Sequence, residues 1–327
     1  MRTITALLSA AVIIVALLLV GRFYYSDTNY NPMNPAWNGM AGLSGNMSSL
    51  YSISSLSSAP SGSTLLIIGP TESYSESESN QILSFLHLGG KVVVMDDYGT
   101  SNSLLNSINS PVTLNQQPLC QDSNYYHKPS FPIITSIRSQ GLFSGVGKLV
   151  LNHPVPLDTA RGATILASTS NMAWIDADNN GSINGNEKYS EYPVAASVKY
   201  GAGELIVIGD SDLLINGMSD LGDDSVLKSN IFRSGIVYID VSHGQSSQPL
   251  AVAYNRIKTD PVAQFICVLV ILLSGYLFYR RESIYRMIAQ DELINEDPQE
   301  KKDAIISFMK IKQLLTEGEE KELKKKL

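Results

Sequence analysis

Within residues 63–97 the chain reads Ser63-Thr-Leu-Leu-Ile-Ile-Gly-Pro70, then Ser75-Glu-Ser-Glu-Ser-Asn-Gln-Ile-Leu-Ser-Phe-Leu-His-Leu88, then Gly89-Gly90, then Lys91-Val-Val-Val-Met-Asp-Asp97. The first run is short, continuously apolar and closed by a Gly-Pro turn signal, as a strand buried on both faces would be. The second opens with serines and glutamates, which suit the donor-rich start of a helix. Its Ile82, Phe85, Leu86 and Leu88 supply one apolar side. The glycine pair ends that helix, and Lys91–Met95 is the next buried strand. Strand, helix and strand together form a βαβ unit, which implies a parallel sheet and a right-handed crossover.

Working outward, strands are predicted over 148–152, 163–168, 193–199 and 204–209. Lys199-Tyr-Gly-Ala-Gly-Glu204 reads as a glycine hairpin turn between the last two. Asp223–Val237 reads as a helix with Val226, Leu227, Ile231 and Phe232 facing inward. Residues 40–62 are rich in Ser, Gly and Asn, yet their Leu43, Leu50, Tyr51, Ile53 and Leu56 predict a short helix and a strand. The sum is a three-layer α/β domain with some antiparallel edge.

Residues 176–187 read Asp-Ala-Asp-Asn-Asn-Gly-Ser-Ile-Asn-Gly-Asn-Glu. Oxygen-bearing side chains fall at loop positions 1, 3, 5, 9 and 12, with glycine at 6, which is the spacing of an EF-hand calcium loop. Asp176, Asp178 and Asn180 offer side-chain oxygens, Ser182 a carbonyl, Asn184 a direct or water-borne contact, and Glu187 both carboxylate oxygens. Gly181 permits the positive φ of the reversal. An Asn/Asp/Gly-rich surface turn without metal is the alternative. Magnesium suits the loop less well, because it prefers a small octahedral shell and keeps its waters. With three carboxylates, an affinity near ~10⁻⁴ M is expected. The flanks are strand-like rather than helical, so the loop is expected to be a structural staple for Ca2+ and not a sensor.

Thr3–Gly21 is a 19-residue run without a charge, bounded by Arg2 and Arg22. Residues 261–279 form a second uncharged run of 19, ending in Tyr-Leu-Phe-Tyr and followed by Arg280 and Arg281. Each is long enough to cross a bilayer as a helix. A cleaved signal peptide is the rival for the first, and a buried core helix for the second. Arginines before the first run and after the second place both termini in the cytoplasm. The expected organisation is an anchor over 1–22, an extracytoplasmic α/β domain over 23–260, a transmembrane helix over 261–279 and a cytoplasmic helical tail over 280–327. In that tail Ile305, Phe308, Met309, Lys312 and Leu315 make an apolar stripe among lysines, suited to a membrane surface, a sister chain or a docking partner.

Residues 23–260 carry 11 Lys/Arg against 20 Asp/Glu, a net of −9, while residues 280–327 carry 11 of each. An acidic domain disfavours nucleic acid as a partner. The two cysteines are Cys120 and Cys267, and the second lies inside a predicted span, so the outer domain has no internal disulfide. No Gly-x-Ser-x-Gly elbow occurs, and Ser225-Val-Leu-Lys228 lacks the companion motifs of a serine acylase. Gly201-Ala-Gly203 lacks the third glycine of a dinucleotide site. Asp96, Asp97, Asp210 and Asp212 close two predicted strands, where α/β sheets place ligand sites, although carboxylates there also satisfy loop amides.

Asn34-Pro-Ala-Trp-Asn-Gly-Met40, Leu65-Leu-Ile-Ile-Gly-Pro70, Leu88–Asp97 and Val198–Asn216, with Asp224 to Asn230 beyond, resemble the family of domain of unknown function 4350. They are similar also to the outer domain of gliding-type ABC transporter auxiliary proteins. The resemblance spans roughly residues 34–240 and implies a Rossmann/flavodoxin-like, class I glutamine amidotransferase-like fold. It implies archaeal or bacterial membrane proteins accompanied by MoxR-type AAA ATPases and von Willebrand-related membrane proteins. An amidotransferase needs an activated cysteine on a tight turn, and Cys120, in Gln117-Pro-Leu-Cys-Gln-Asp122, has no such setting beside His87, His127, His153 or His243. The expectation is therefore a non-catalytic, membrane-anchored protein that binds a ligand or partner outside the cell. The alternatives are a hydrolase-like enzyme of that fold and an accessory subunit of an ABC-type transporter.

Overall fold

The computed structural model describes residues 28–43, 47–115, 120–233 and 235–244, together with single positions within 261–280 and 303–308. The chain divides into a unit of Tyr24–Arg256 and a second unit made of Met1–Phe23 and Ile257–Leu327. The first unit is an α/β domain.

Along the chain, β1 (Met47–Leu50) precedes a 3₁₀ turn at Ile53–Ser58. Next come β2 (Thr64–Ile68), α1 (Glu76–His87) and β3 (Lys91–Met95), the unit expected from sequence. β2 and β3 pair in parallel, Leu65 beside Val92 and Ile67 beside Val94. α1 opens on a capping box: Glu78 N donates to Ser75 Oγ at 3.3 Å while Ser75 N donates to Glu78 Oε2 at 2.9 Å, satisfying two amides the helix cannot. Gly89, at φ +94°, ends it in a conformation that favours glycine.

Then follow α2 (Asn102–Ser107), β4 (Val112–Leu114), β5 (Cys120–Asp122), β6 (Ile133–Ile134), β7 (Ser136–Ile137), β8 (Leu149–Val150), β9 (Leu157–Thr159), β10 (Thr164–Ser168) and β11 (Ala173–Ile175). β12 (Pro193–Tyr200) and β13 (Gly203–Ile208) form the expected hairpin, and α3 (Asp224–Arg233) and β14 (Val237–Asp240) complete the domain. One eight-stranded sheet runs in the order β1-β14-β2-β3-β13-β12-β10-β7. β1 through β13 in that order are parallel, and β12, β10 and β7 add the antiparallel edge.

Side chains alternate across a strand, and here both faces are apolar. Leu65, Ile67, Val92, Val94, Leu205 and Val207 pack with Ile82, Phe85 and Leu86 of α1 and with Leu104 and Leu105 of α2. Their neighbours Leu66, Ile68, Val93, Met95, Ile206 and Ile208 pack with Phe143 and with Leu227 and Ile231 of α3. Helices therefore cover both faces of the sheet.

Two sequence expectations are corrected. The helix expected over 223–237 stops at Arg233, and Val237 opens β14, which sits between β1 and β2. The strand expected over 148–152 is the short β8, which pairs with β6 outside the main sheet. The uncharged run 3–21 lies outside the described residues. Among the described residues no helix is long and apolar enough to cross a membrane. The described positions of 261–280 are helical, with Phe265, Ile266, Leu269, Val270, Leu272 and Leu273 exposed.

A Cβ on Gly203 would lie 2.1 Å from Leu86 O and 2.3 Å from Gly90 O. Both are backbone atoms that cannot rotate aside, so Gly203→Ala should cost about 1–3 kcal/mol, read from the urea midpoint. Asp224 is buried, accepts from Val150 N at 3.3 Å, and has Oδ2 without a hydrogen-bond partner. Burial, with the charge of Asp223, pushes its carboxyl up to about 8. A raised carboxyl favours the folded state fully below the ordinary value of ~3.9 and loses that contribution as pH rises toward 8. Asp224→Asn should thus gain stability over wild type at pH 9 and not at pH 4, in the same denaturation assay.

Candidate functional site

The calcium-type loop begins directly after a strand. Asp176 directly follows β11, and an antiparallel bridge between Ala173 and Ser190 closes the loop's base. β12 starts three residues later. The structure brings Asp176, Asp178 and Glu187 together: one carboxylate oxygen from each lies within 4.8 Å of the others. An ion with oxygens at about 2.4 Å spans about 4.8 Å, so the three lie at a separation suited to one calcium. An open groove of about 420 Å³ adjoins them, lined by Ala177, Asp178, Asn184, Glu187 and Tyr192 among others.

The loop's amides are aimed inward. Asn180 N donates to Asp176 Oδ1 at 3.0 Å and Gly181 N to Asp176 Oδ2 at 2.8 Å. Ala177 N and Asn184 N donate to the two oxygens of Glu187 at 2.7 and 2.9 Å. Ser182 N donates to Asn180 Oδ1 at 2.8 Å. Gly181 and Gly185 have φ of +77° and +53°, the reversals that the spacing demands. An ionised carboxylate oxygen has two acceptor directions. Asp176 Oδ1 and each oxygen of Glu187 retain one after this count. Asp178 Oδ2 is taken by the amides of Asn180 and Asn184, at 2.8 and 3.1 Å, and Oδ1 keeps a direction free. The donor set is all oxygen, which fits a hard cation.

Sequence reasoning missed Gln121. It lies on β5, which pairs with β11, and its Nε2 donates to Asp176 Oδ2. Asp176 and Gln121 are both buried, so the amide helps hold the Asp176 carboxylate in place. Nothing in the spacing of 176–187 points to a residue on another strand.

The second cluster is at the C-terminal ends of β3 and β13, and its four aspartates divide. Asp96 accepts from Tyr98 N at 2.7 Å, Gly99 N at 3.2 Å and Ser101 N at 2.8 Å; it organises the loop after β3. Asp210 accepts from Asn152 N at 2.8 Å and Asp212 N at 2.7 Å. Asp97 and Asp212 instead share side-chain partners. Ser211 Oγ donates to Asp97, Tyr30 Oη donates to Asp212 Oδ1 at 3.0 Å and lies 2.9 Å from Ser211 Oγ. Asn152 Nδ2 donates to Asp212 Oδ2, and Asn152 Oδ1 meets His153 Nδ1. Tyr30, Ser211, Asn152 and His153 were not singled out from sequence as members of this cluster.

Burial raises Asp97 to about 6, against the hydrogen bond from Ser211 and reinforced by Asp212. Burial and then Asp212 hold Asp210 well above the carboxylate range, and burial raises Asp212 as well. Ser211 is wholly buried, so its hydroxyl faces the network and not solvent. Of the histidines, His87 ends α1 edge-on to Tyr200 and His153 sits in a turn at φ +55°.

Asp96 and Asp97 should behave differently on amide substitution. Asp96→Asn weakens three charge-assisted bonds and should cost about 3 kcal/mol. Asp97→Asn removes a carboxyl whose contribution is complete below the ordinary value of ~3.9 and lost as pH rises through about 6. It should leave stability at pH 7 within about 1 kcal/mol of wild type and flatten the pH dependence between 4 and 7. Denaturant midpoints across that range check both.

The chain has no significant match among curated proteins. Among solved structures it is similar to the N-terminal domain of mmIFT52, at 17% identity and TM-score 0.44, covering 56% of this chain and 80% of that one. A cold-adapted β-galactosidase from Rahnella sp. R3 is 13% identical at TM-score 0.32, covering 52% of this chain and 22% of the galactosidase, so the chain spans about a fifth of that enzyme. The cytoplasmic protein STM1381 from Salmonella typhimurium LT2 is 10% identical at TM-score 0.35, covering 57% of this chain and 76% of that one. Likenesses this remote carry no argument about activity or partners. The sequence itself is more specific: residues 32–230, more than half of the chain, match the family described as domain of unknown function (DUF4350), and the protein belongs to that family.

Proposed function

We propose that this chain presents a calcium-stapled α/β binding domain at a membrane surface, and that its work is recognition and not chemistry. The observation that carries the reading is the donor set of Asp176, Asp178 and Glu187, whose oxygens lie within one ion's reach between two strands. Asn180 and Ser182 complete the shell, and Asn184 contributes directly or through water. When bound, calcium would supply charge neutralisation for three clustered carboxylates and a cross-link between β11 and β12.

The membrane tether rests on the uncharged runs at 3–21 and 261–279 and on the exposed apolar side chains at described positions of the second. With both termini cytoplasmic, the acidic domain faces outward, where millimolar calcium suits an affinity near ~10⁻⁴ M. The sheet is read as the amidotransferase-like arrangement that the family resemblance implies. A MoxR-type ATPase and von Willebrand-related proteins are the partner classes it suggests. A second, enzymatic reading is favoured by one observation, the raised carboxyl of Asp97 beside Ser211 and Tyr30 at the strand ends. Burial of Ser211 weighs against it.

Calcium added at ~100 times its dissociation constant to the chelator-stripped, full-length protein should stabilise it by about 2.7 kcal/mol. For a domain of this size that raises the melting temperature by roughly 5–10 °C. Magnesium should do much less, and Glu187→Gln should abolish most of the rise. Equal melting temperatures in calcium and chelator would remove the staple. Trp174, two residues before Asp176, gives an independent readout through sensitised terbium emission.

A further inference from the structure

Beyond β14 the chain turns through Val241, Ser242 and His243. The imidazole of His243 is buried and stacks on Tyr74, with ring centroids 3.9 Å apart and planes 20° apart. Nδ1 lies 2.8 Å from Asp240 Oδ2, and Nε2 lies 3.4 Å from Glu78 Oε1. Both ring nitrogens thus face carboxylates. A neutral imidazole has one donor and one acceptor nitrogen, and its acceptor would meet a carboxylate lone pair. Only the imidazolium satisfies both contacts. The main chain joins in: His243 O accepts from Thr71 N at 2.7 Å and Glu72 N at 3.1 Å. One residue therefore ties the end of β14 to the 71–74 segment and to the first turn of α1.

We propose that His243 is a proton-operated latch: as imidazolium it holds the end of the α/β fold on α1 and on residues 71–74, and on losing its proton it releases them. The groups that face the ring are Asp240 from β14, Ser242 Oγ at 3.0 Å from Nδ1, Glu78 from α1, and Tyr74 from the segment between β2 and α1. Asp96, at the end of β3, acts on Tyr74 through its charge. Asp240 is further held by Tyr74 Oη at 2.6 Å and by Ser242 N and Oγ at 2.9 and 2.6 Å, so the anion stays fixed while the imidazole titrates.

The sign follows from the partners. Burial alone lowers the imidazole, but the hydrogen bond and charge of Asp240, with Glu78 behind them, raise it above its ordinary ~6.5. Its contribution is complete below ~6.5 and is lost as pH rises through the elevated folded value. Burial acts to raise Asp240, yet the hydrogen bond and charge of His243 leave it below its ordinary ~3.9. That carboxylate's contribution is present above ~3.9 and lost as pH falls through the lowered value. The latch is therefore closed from mildly acid to near-neutral pH and opens on the alkaline side.

The test is hydrogen–deuterium exchange of the full-length protein, read by mass spectrometry on a peptide containing Thr71 and Glu72. A peptide spanning 91–95 in β3 corrects for the intrinsic pH dependence. Wild-type protection of 71–72 relative to β3 should fall roughly tenfold for each pKa unit by which folding elevates the imidazole, between pH 6 and 9. His243→Gln should be poorly protected at both ends of that range, with no step. Glu78→Gln keeps the cap of α1 and one partner of the ring, and should move the step to lower pH; it serves also if His243→Gln fails to fold. A wild-type ratio that does not change with pH, a step that survives in His243→Gln, or a step that Glu78→Gln leaves in place would each overturn the latch.

Discussion

Burial of the parallel strands on both faces governs the rest of this molecule. Leu65–Ile68, Val92–Met95 and Leu205–Ile208 send alternate side chains into two separate cores, one under α1 and α2 and one under α3. Such strands have no wet face on which to carry charge, so polar chemistry is pushed to their ends. β14, β2, β3 and β13 run the same way, and their C-terminal ends collect along one edge. Asp240 ends β14, Asp96 and Asp97 follow β3, and Asp210 and Asp212 follow β13. The carboxylate-rich edge is a geometric consequence of two-sided burial in a parallel sheet.

A desolvated carboxylate must be neutralised, hydrogen-bonded or paired, and this edge uses all three solutions side by side. Asp96 takes three backbone amides. Burial, reinforced at Asp97 and Asp210 by the charge of Asp212, holds Asp97, Asp210 and Asp212 toward their protonated forms. Asp240 pairs with an imidazolium and is held toward its ionised form. Identical residue types at equivalent strand positions thus shift in opposite directions: burial raises them all, and at Asp240 the hydrogen bond and charge of His243 outweigh it. The edge is an electrostatic mosaic, and its pH response differs from one strand end to the next.

What could be read from the sequence follows from the range of each interaction. The β2-α1-β3 unit was legible because unbroken apolar runs, the Ser75–Glu78 cap and the Gly89-Gly90 stop are all local. β14 was not: Val237-Tyr-Ile-Asp240 is four residues long and abuts α3, so its apolar residues read as a continuation of the helix. β8 looked like a strand of the main sheet because its composition reports burial but not pairing. The clustering of Asp176, Asp178 and Glu187 was legible because their spacing falls within twelve residues of one loop. Gln121 reaches Asp176 from 55 residues away, and Tyr30 reaches Ser211 from 181 away. His243 meets Glu78 only because β14 inserts beside β2. Contacts made by sheet topology leave no local trace, and they supply Gln121 at the loop and Tyr30 and Asn152 at the strand ends.

The same topology decides what an ion in the 176–187 loop could accomplish. A sensor needs flanking elements free to reorient when the shell closes. Here Ser190 N donates to Ala173 O at 2.8 Å across the loop's base, β11 is paired with β5, and β12 lies between β13 and β10 in the main sheet. Gln121 holds the Asp176 carboxylate from the side. With both ends clamped by strand pairing, binding free energy has no hinge to move and appears instead as resistance to unfolding. In an acidic domain without an internal disulfide, a cross-link of that kind would tie β11 to β12.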